Sequence, residues 1–141
     1  MKILIPIDGS EAANRALDHV IANMTGMKEA PQVYLLNVQW KLATANVKLF
    51  ISQDTVKDYY IEQGMAALAC ARARLDAAGL AYNYHISVGT PAEAIVQYAE
   101  EQEVDQIVMG AQGEGKLSDF LLGSVADKVA RLAKMPILLV K

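Results

Sequence analysis

The sequence of 141 residues has little cysteine and little histidine, with one of the former and two of the latter. A single thiol, Cys70, cannot form an internal disulfide, so the fold does not depend on one and a reducing compartment is expected. Cys70 lies inside a helical pattern, and we expect a packed thiol of the core or a groove. Because no pair of carboxylates stands at ligand spacing either, the sequence predicts no metal site of the zinc type.

The chain also lacks an excess of positive charge. Its 13 lysines and arginines are outnumbered by 16 aspartates and glutamates, which gives a formal net charge of -3 at pH 7. Binding to nucleic acid or to an anionic membrane needs clustered Lys and Arg, so neither partner is expected. A phosphate ligand would therefore have to be held by local backbone geometry.

No apolar run approaches the length of about 20 residues that a membrane-spanning helix needs. The first run is interrupted at Pro6 and Asp8, too early for a secretory leader, and a cytoplasmic protein is expected. Apolar residues as a class are nevertheless abundant, at 53% of the chain against 21% charged. At this length that composition predicts a single domain, residues 1–141, with a full core.

Short apolar runs alternate with helical patterns along the whole chain. The runs, interpreted as strands, are 3–7, 33–38, 82–88, 104–109 and 137–140. The third of them alternates in polarity and predicts an edge strand, with His85 at the surface, while Tyr59 and Tyr60 are interpreted as packing residues of a long helix. The alternation predicts an α/β fold, an open and mainly parallel Rossmann-like sheet with helices on both faces.

Three of the predicted helices begin with capping signals. Ser10 precedes the first helical pattern and can accept from a first-turn N–H group. Thr90-Pro91-Ala92-Glu93 has the form of a capping box with proline at the first helical position, and Ser124-Val125-Ala126-Asp127 has the form of a second box. We therefore expect the Thr90 and Ser124 side chains to cap their helices.

Two strand ends carry turns suited to a ligand. The first strand runs into Asp8-Gly9-Ser10, and the fourth runs into Gly110, Gly113 and Gly115. Glycines let N–H groups approach a ligand closely, and a helix start adds unpaired N–H groups and the positive end of a dipole. This arrangement predicts an anion cradle, most often one for phosphate. By position alone, Asp8 could equally be a turn carboxylate, and the glycines could serve only to shape a turn.

The stretch from Gly110 to Lys116 also has the spacing of a P-loop up to the lysine. Leu117 stands where the Mg²⁺-binding Ser or Thr belongs, and only about two dozen residues follow, too few for the usual downstream acidic strand. The loop offers no water-positioning residue and no catalytic arginine, so rapid ATP hydrolysis is not expected.

Gly110-x-x-Gly113, then nine residues, then Gly123-Ser124 resembles the nucleotide loop of the universal stress protein family. Other strand ends resemble the family pattern as well: Pro6-Ile7-Asp8 with Ser10, Val38, Val88-Gly89-Thr90-Pro91, Val104-Asp105 with Met109-Gly110, and Met135-Pro136-Ile137-Leu138. The resemblance covers the chain apart from residues 41–51, an apolar segment without clear period that we interpret as a flap or a partner surface.

The resemblance implies an adenine nucleotide alpha hydrolase-like sheet of strand order 3-2-1-4-5, a homodimer formed through Ile137 to Val140, and bound ATP with Mg²⁺. Asp8 would lie near the ribose or the metal-phosphate region, and Val38 would touch adenine. The residues that the resemblance assigns to the nucleotide are Pro6, Ile7, Asp8, Ser10, Val38, Met109, Gly110, Gln112, Gly113, Gly123, Ser124 and Val125.

Two positions depart from the family pattern. Gln112 stands where His or an Arg-like polar residue is common, and Glu114 stands where a basic residue is common. A carboxylate beside a triphosphate is unfavourable unless Lys116 or a divalent cation offsets it.

The function expected from the resemblance is a regulatory ATP-binding protein of the stress response, without rapid turnover and without an assigned catalytic residue. Two alternatives stay open: an interaction module of the same fold that binds no nucleotide, and a slow ATPase.

Overall fold

The computed structural model describes residues 1–24, 26–41, 52–112 and 122–141. Strands and helices alternate through these residues, as the apolar pattern predicts. The strands are β1 (Lys2–Pro6), β2 (Gln32–Gln39), β3 (Tyr82–Val88), β4 (Gln106–Gly110) and β5 (Ile137–Val140). The helices are α1 (Glu11–Met24), α2 (Gln53–Ala78), α3 (Pro91–Glu101) and α4 (Ser124–Leu132).

The five strands form one sheet of order β3-β2-β1-β4-β5, in which every neighbouring pair is parallel. The predicted fold class and strand order are therefore confirmed. The fourth strand begins two residues later than expected, because the N–H of Val104 is bonded to the carbonyl of Ala99 at the end of α3, 3.0 Å away. Strand β3 lies at an edge, and His85 on it is exposed, as predicted.

The central strands separate toward their carboxyl ends. Strand β1 pairs with β2 as far as Pro6, but it pairs with β4 only at Ile3 and Leu4. Successive N–H groups of a strand point to opposite neighbours, and the N–H of Ile7 bonds the Leu36 carbonyl on β2. The nitrogen of Pro6 therefore faces β4, where it has no hydrogen to donate. A crevice opens between β1 and β4, at the point where the strand order reverses.

Apolar side chains cover both faces of this sheet. On one face α1 and α2 pack on Ile3, Ile5 and Val33, and on the other α3 and α4 pack on Leu4 and Ile107. All five of these sheet residues are 0% exposed. Burial on both sides explains why the central strands are continuous apolar runs.

The caps of the first two helices follow simple sequence signals. The Ser10 hydroxyl accepts from the N–H of Ala13 at 3.2 Å, so the predicted cap of α1 is confirmed. Ser52 accepts from the N–H of Thr55 at 3.2 Å at the start of α2. That helix ends at Gly79, whose φ of 69° is the left-handed conformation that glycine adopts at low cost.

The two predicted capping boxes are wrong in their side-chain contacts. Thr90 holds the N-cap position of α3 but makes no side-chain cap bond, and Glu93 instead forms an ion pair with Lys128 on α4. At α4 the N-cap is Gly123, whose carbonyl accepts from the N–H of Asp127, so Ser124 is already the first helical residue. The Glu93–Lys128 ion pair thus replaces the first predicted box, and a shift of the N-cap by one residue removes the second.

The prediction that Cys70 is a packed thiol is also wrong. Cys70 is exposed, and its Sγ accepts from the Nε of Arg74 one turn further along α2, at 3.4 Å. Cys70 lies between the buried positions Leu68 and Ala71 but on the outer side of the helix. The long apolar pattern of α2 does not by itself separate the outer side from the inner.

We predict that Gly110→Ala destabilises the protein. A Cβ at position 110 would lie 2.7 Å from the carbonyl carbon of Ala12, a backbone atom of α1 that cannot move aside as a flexible side chain would. Overpacking of this kind costs about 1–3 kcal/mol, measurable as a lower free energy of unfolding in urea. Gly89→Ala is the matched control, because nothing lies within 4 Å of its added Cβ. Equal stability of the two variants would contradict the close approach of α1.

Candidate functional site

A cavity of about 740 Å³ lies at the carboxyl ends of β1, β2 and β4, around the crevice. It takes in eleven of the twelve residues assigned from the sequence, and the twelfth, Gly113, lies outside the described residues. The eleven are Pro6, Ile7, Asp8, Ser10, Val38, Met109, Gly110, Gln112, Gly123, Ser124 and Val125. Residues far apart in the chain thus meet at one place, and their role in binding stays a prediction.

The β1 turn brings Asp8 to the cavity. Asp8 is exposed, and its Oδ1 accepts from the N–H of Ser10 at 2.9 Å across Gly9, whose φ is +86°. The interpretation of Asp8 as a turn carboxylate is therefore correct for one oxygen. No described residue donates to the other oxygen, Oδ2, which leaves one carboxylate oxygen for a ligand.

The glycines at the β4 side act differently from what their pattern predicts. Gly110 is required by the close approach of Ala12, a packing contact between β4 and α1. Gly123 was expected to present its N–H to phosphate, but that N–H donates to the carbonyl of Ala111 at 2.7 Å. The expectation is wrong for Gly123 because this hydrogen bond fixes the entry of α4 to the end of β4.

The first turn of α4 supplies the free donors. Among the described residues, none accepts from the backbone N–H groups of Ser124, Val125 or Ala126, and the N-cap Gly123 has no side chain to do so. All three residues line the cavity. The positive end of the helix dipole and these N–H groups together favour an anion at this end of the cavity.

Asn37 is a cavity residue that the sequence analysis missed. It is 2% exposed and is the one buried polar or charged residue of the described chain. Its Nδ2 donates to the Ile7 carbonyl at 2.8 Å, and its Oδ1 accepts from the Nε2 of Gln39 at 2.6 Å. The signal in the sequence that could have identified Asn37 is its polar side chain inside the apolar run 33–38.

Helix α2 forms a further wall that the sequence analysis did not assign to the site. Tyr59, Tyr60 and Gln63 line the cavity, as does Trp40 at the end of β2. Tyr60 is 9% exposed and packs as predicted, whereas Tyr59 and Trp40 are 47% and 67% exposed. This side of the cavity is therefore aromatic and amide-bearing.

The described part of the lining carries one charged residue, Asp8, and no lysine or arginine. Outside the lining, a hydrogen bond from the Lys128 ammonium lowers the pKa of the Glu93 carboxyl, and this ion pair links α3 to α4. Burial raises the pKa of Tyr98, which stacks on His85 with 5.2 Å between the ring centres. Neither group lines the cavity.

Two features are absent from the described residues. They contain no group of three or more His, Cys, Asp or Glu side chains placed to hold a metal ion. None of their helices combines the length and the apolar character needed to cross a membrane.

An open parallel sheet with a crevice at its switch point defines the class of the protein as a Rossmann-like α/β protein. The family model described as "Universal stress protein family" matches residues 1–141. The chain belongs to the universal stress protein family.

Several relatives share this similarity over nearly the whole chain. Universal stress protein MJ0531 of Methanocaldococcus jannaschii is 34% identical over 99% of this chain and 81% of its own. MJ0577 of the same organism is 33% identical over 99% of this chain and 94% of its own. The solved structure of MJ0577 superposes with a TM-score of 0.85 at 36% identity and the same coverage. A universal stress protein solved in complex with cAMP superposes with a TM-score of 0.72 at 26% identity, over 100% of this chain and 97% of its own.

We predict that Asn37→Ala lowers the stability of the protein. The substitution leaves the buried Ile7 carbonyl without its side-chain donor, which costs about 1–3 kcal/mol. Asn83→Ala on the edge strand is the control, because Asn83 is exposed and is expected to change stability by less than about 0.5 kcal/mol. Urea unfolding of both variants would make the comparison, and equal losses would refute the role of Asn37.

Proposed function

We propose that this universal stress protein is a regulatory ATP-binding protein whose dimer responds to nucleotide occupancy without rapid turnover. The observation that carries the proposal is the meeting, in one cavity, of apolar strand ends with first-turn N–H groups of α4 that bond no described residue. An adenine nucleotide combines a planar, mostly apolar end with an anionic tail. The related protein solved with cAMP supports this class of ligand.

The two ends of such a ligand would meet different chemistry. Ile7 and Met109 are 2% and 5% exposed, and with half-buried Val38 they offer an apolar surface to the nucleoside. The N–H groups of Ser124 and Val125 would donate to phosphate oxygens. One helix terminus stabilises an anion by roughly 0.3–2 kcal/mol, so several donors must act together.

Mg²⁺ would accompany ATP in this proposal. The described lining offers no basic side chain to neutralise a triphosphate. Oδ2 of Asp8, to which no described residue donates, is a carboxylate oxygen of the kind that Mg²⁺ takes as a ligand. Asp8 would hold the metal-nucleotide or the ribose, and no catalytic residue is assigned.

The absence of lysine and arginine from the described lining also favours the alternative of an interaction module without nucleotide. A slow ATPase is the remaining alternative. It would require the wild-type protein to hydrolyse ATP faster than a variant that does not bind ATP. Binding of Mg-ATP to the wild-type protein separates the first alternative from our proposal.

We expect saturating Mg-ATP to raise the melting temperature, and Asp8→Ala to weaken ATP binding by about 10- to 100-fold through loss of a charged contact. Asp8→Asn retains an oxygen that can accept from Ser10 and removes only the charge, so it separates ligand contact from turn formation. Calorimetric titration would measure the affinities.

Asp105→Ala is the control for this series. Asp105 also accepts a backbone N–H, that of Lys2 at 2.7 Å, but it lies at the opposite, amino-terminal edge of the sheet. We expect its affinity for ATP to stay unchanged. An unchanged melting temperature of the wild-type protein in saturating Mg-ATP would contradict the proposed function.

The dimer proposal rests on β5. The carbonyls of Pro136 and Val140 accept from the N–H groups of Ile107 in β4 and of Ala111 directly after it. The backbone groups of Ile137 and Leu139 therefore face outward at the sheet edge. This strand is short and apolar, and its four residues are only partly buried in the single chain. Such an edge is suited to a two-fold contact with a second copy.

Light scattering at micromolar concentration should give twice the 15.3 kDa mass of the chain. Leu139→Pro removes an outward-facing N–H without removing a bond to β4, and we expect it to shift the mass toward the monomer. A monomeric mass for the wild-type protein would contradict the dimer.

A further inference from the structure

Gln39 lines the cavity and has a side-chain amide whose orientation is fixed by a hydrogen bond to Asn37. Gln39 stands at the end of β2, and its own carbonyl accepts from the N–H of Gly89 at 2.9 Å, so its backbone is held at the end of the sheet. Its side chain lines the cavity and lies beside buried Asn37.

A chain of hydrogen bonds decides which atom of the Gln39 amide is free. The carbonyl of Ile7 can only accept, so the atom of Asn37 that bonds it is the donor Nδ2, at 2.8 Å. The other atom of the Asn37 amide is then the acceptor Oδ1. Its partner on Gln39, at 2.6 Å, is therefore the donor Nε2, and Oε1 remains.

The remaining oxygen, Oε1, belongs to a residue that lines the cavity. No described residue donates to Oε1 of Gln39, and the described chain has no buried side-chain nitrogen or oxygen without a hydrogen-bond partner. Oε1 is therefore accessible, and the cavity is the space that Gln39 borders. It is an acceptor that cannot turn into a donor without breaking the bond to Asn37.

The surroundings of Gln39 suit a neutral, planar group and not a phosphate. Trp40 and Tyr59 are exposed aromatic side chains on this side of the cavity, and no described lining residue there carries a charge. The N–H groups suited to an anion, which bond no described residue, lie instead at the start of α4. The neutral, aromatic surroundings are thus supplied by the end of β2 and by α2, and the donors for an anion by α4.

We infer that Gln39 is a specificity-determining residue, whose Oε1 accepts a hydrogen bond from the 6-amino group of a bound adenine, with Asn37 as the residue that positions it. The inference rests on the proposed adenine-nucleotide function and names the group that selects the base. A base without this amino group leaves an oriented acceptor unpaired, which costs about tenfold or more in affinity.

The test compares ATP with the triphosphate of purine riboside, which lacks only the 6-amino group. Calorimetric titration of the wild-type protein should show ATP binding at least about tenfold tighter. Gln39→Met keeps the length of the side chain but has no strong acceptor, and it should bind both nucleotides equally, near the wild-type affinity for the purine analogue. Gln39→Ser serves as a second variant if the methionine side chain impairs folding.

Gln32→Met is the matched control. Gln32 is an exposed glutamine at the opposite, amino-terminal end of β2 and does not line the cavity, so the preference for ATP should persist in this variant. Equal affinities of the wild-type protein for the two nucleotides, or a preference that survives both substitutions of Gln39, would overturn the inference alone. Failure of the wild-type protein to bind either nucleotide would overturn the proposed function and the inference with it.

Discussion

The end of pairing between β1 and β4 is the constraint on which the rest of the site depends. Both strands continue past their last paired residues, Leu4 and Ile107, so their ends form the two rims of a crevice. The ring nitrogen of Pro6 faces the gap and cannot close it with a hydrogen bond. At the other rim, Gly110 lets α1 approach β4 closely, because a Cβ there would overlap Ala12.

The cavity that results has chemically different ends. At the β4 end, the bond from Gly123 to Ala111 fixes α4, and no described residue accepts from its next N–H groups, those of Ser124 and Val125. At the β2 end, the bond from Asn37 to the Ile7 carbonyl orients the Gln39 amide beside aromatic side chains. The N–H groups of α4, which suit an anion, and the Gln39 amide oxygen, which suits a neutral ring, therefore lie at the β4 and β2 ends of the same cavity.

Much of the fold could be predicted because strand and helix periods are local properties of the chain. Burial on both faces makes β1 and β4 continuous apolar runs, and the Ser10 cap of α1 needs only a neighbouring turn. The box at Thr90 failed because Glu93 pairs with Lys128 on another helix, which the local sequence does not reveal. The box at Ser124 failed because Gly123, one residue earlier, holds the N-cap position.

The sequence by itself determined the alternation of strands and helices, the resemblance to universal stress proteins, and the two bends that border the cavity, since each is encoded in a short stretch of residues. Only the tertiary structure decided what individual groups do there. Parallel pairing places Asn37 beside Ile7 and helix packing places Ala12 against Gly110, although thirty or more residues separate each pair along the chain. Hydrogen bonds and steric contacts act over a few ångströms of space, and no pattern along a chain specifies which distant groups come that close.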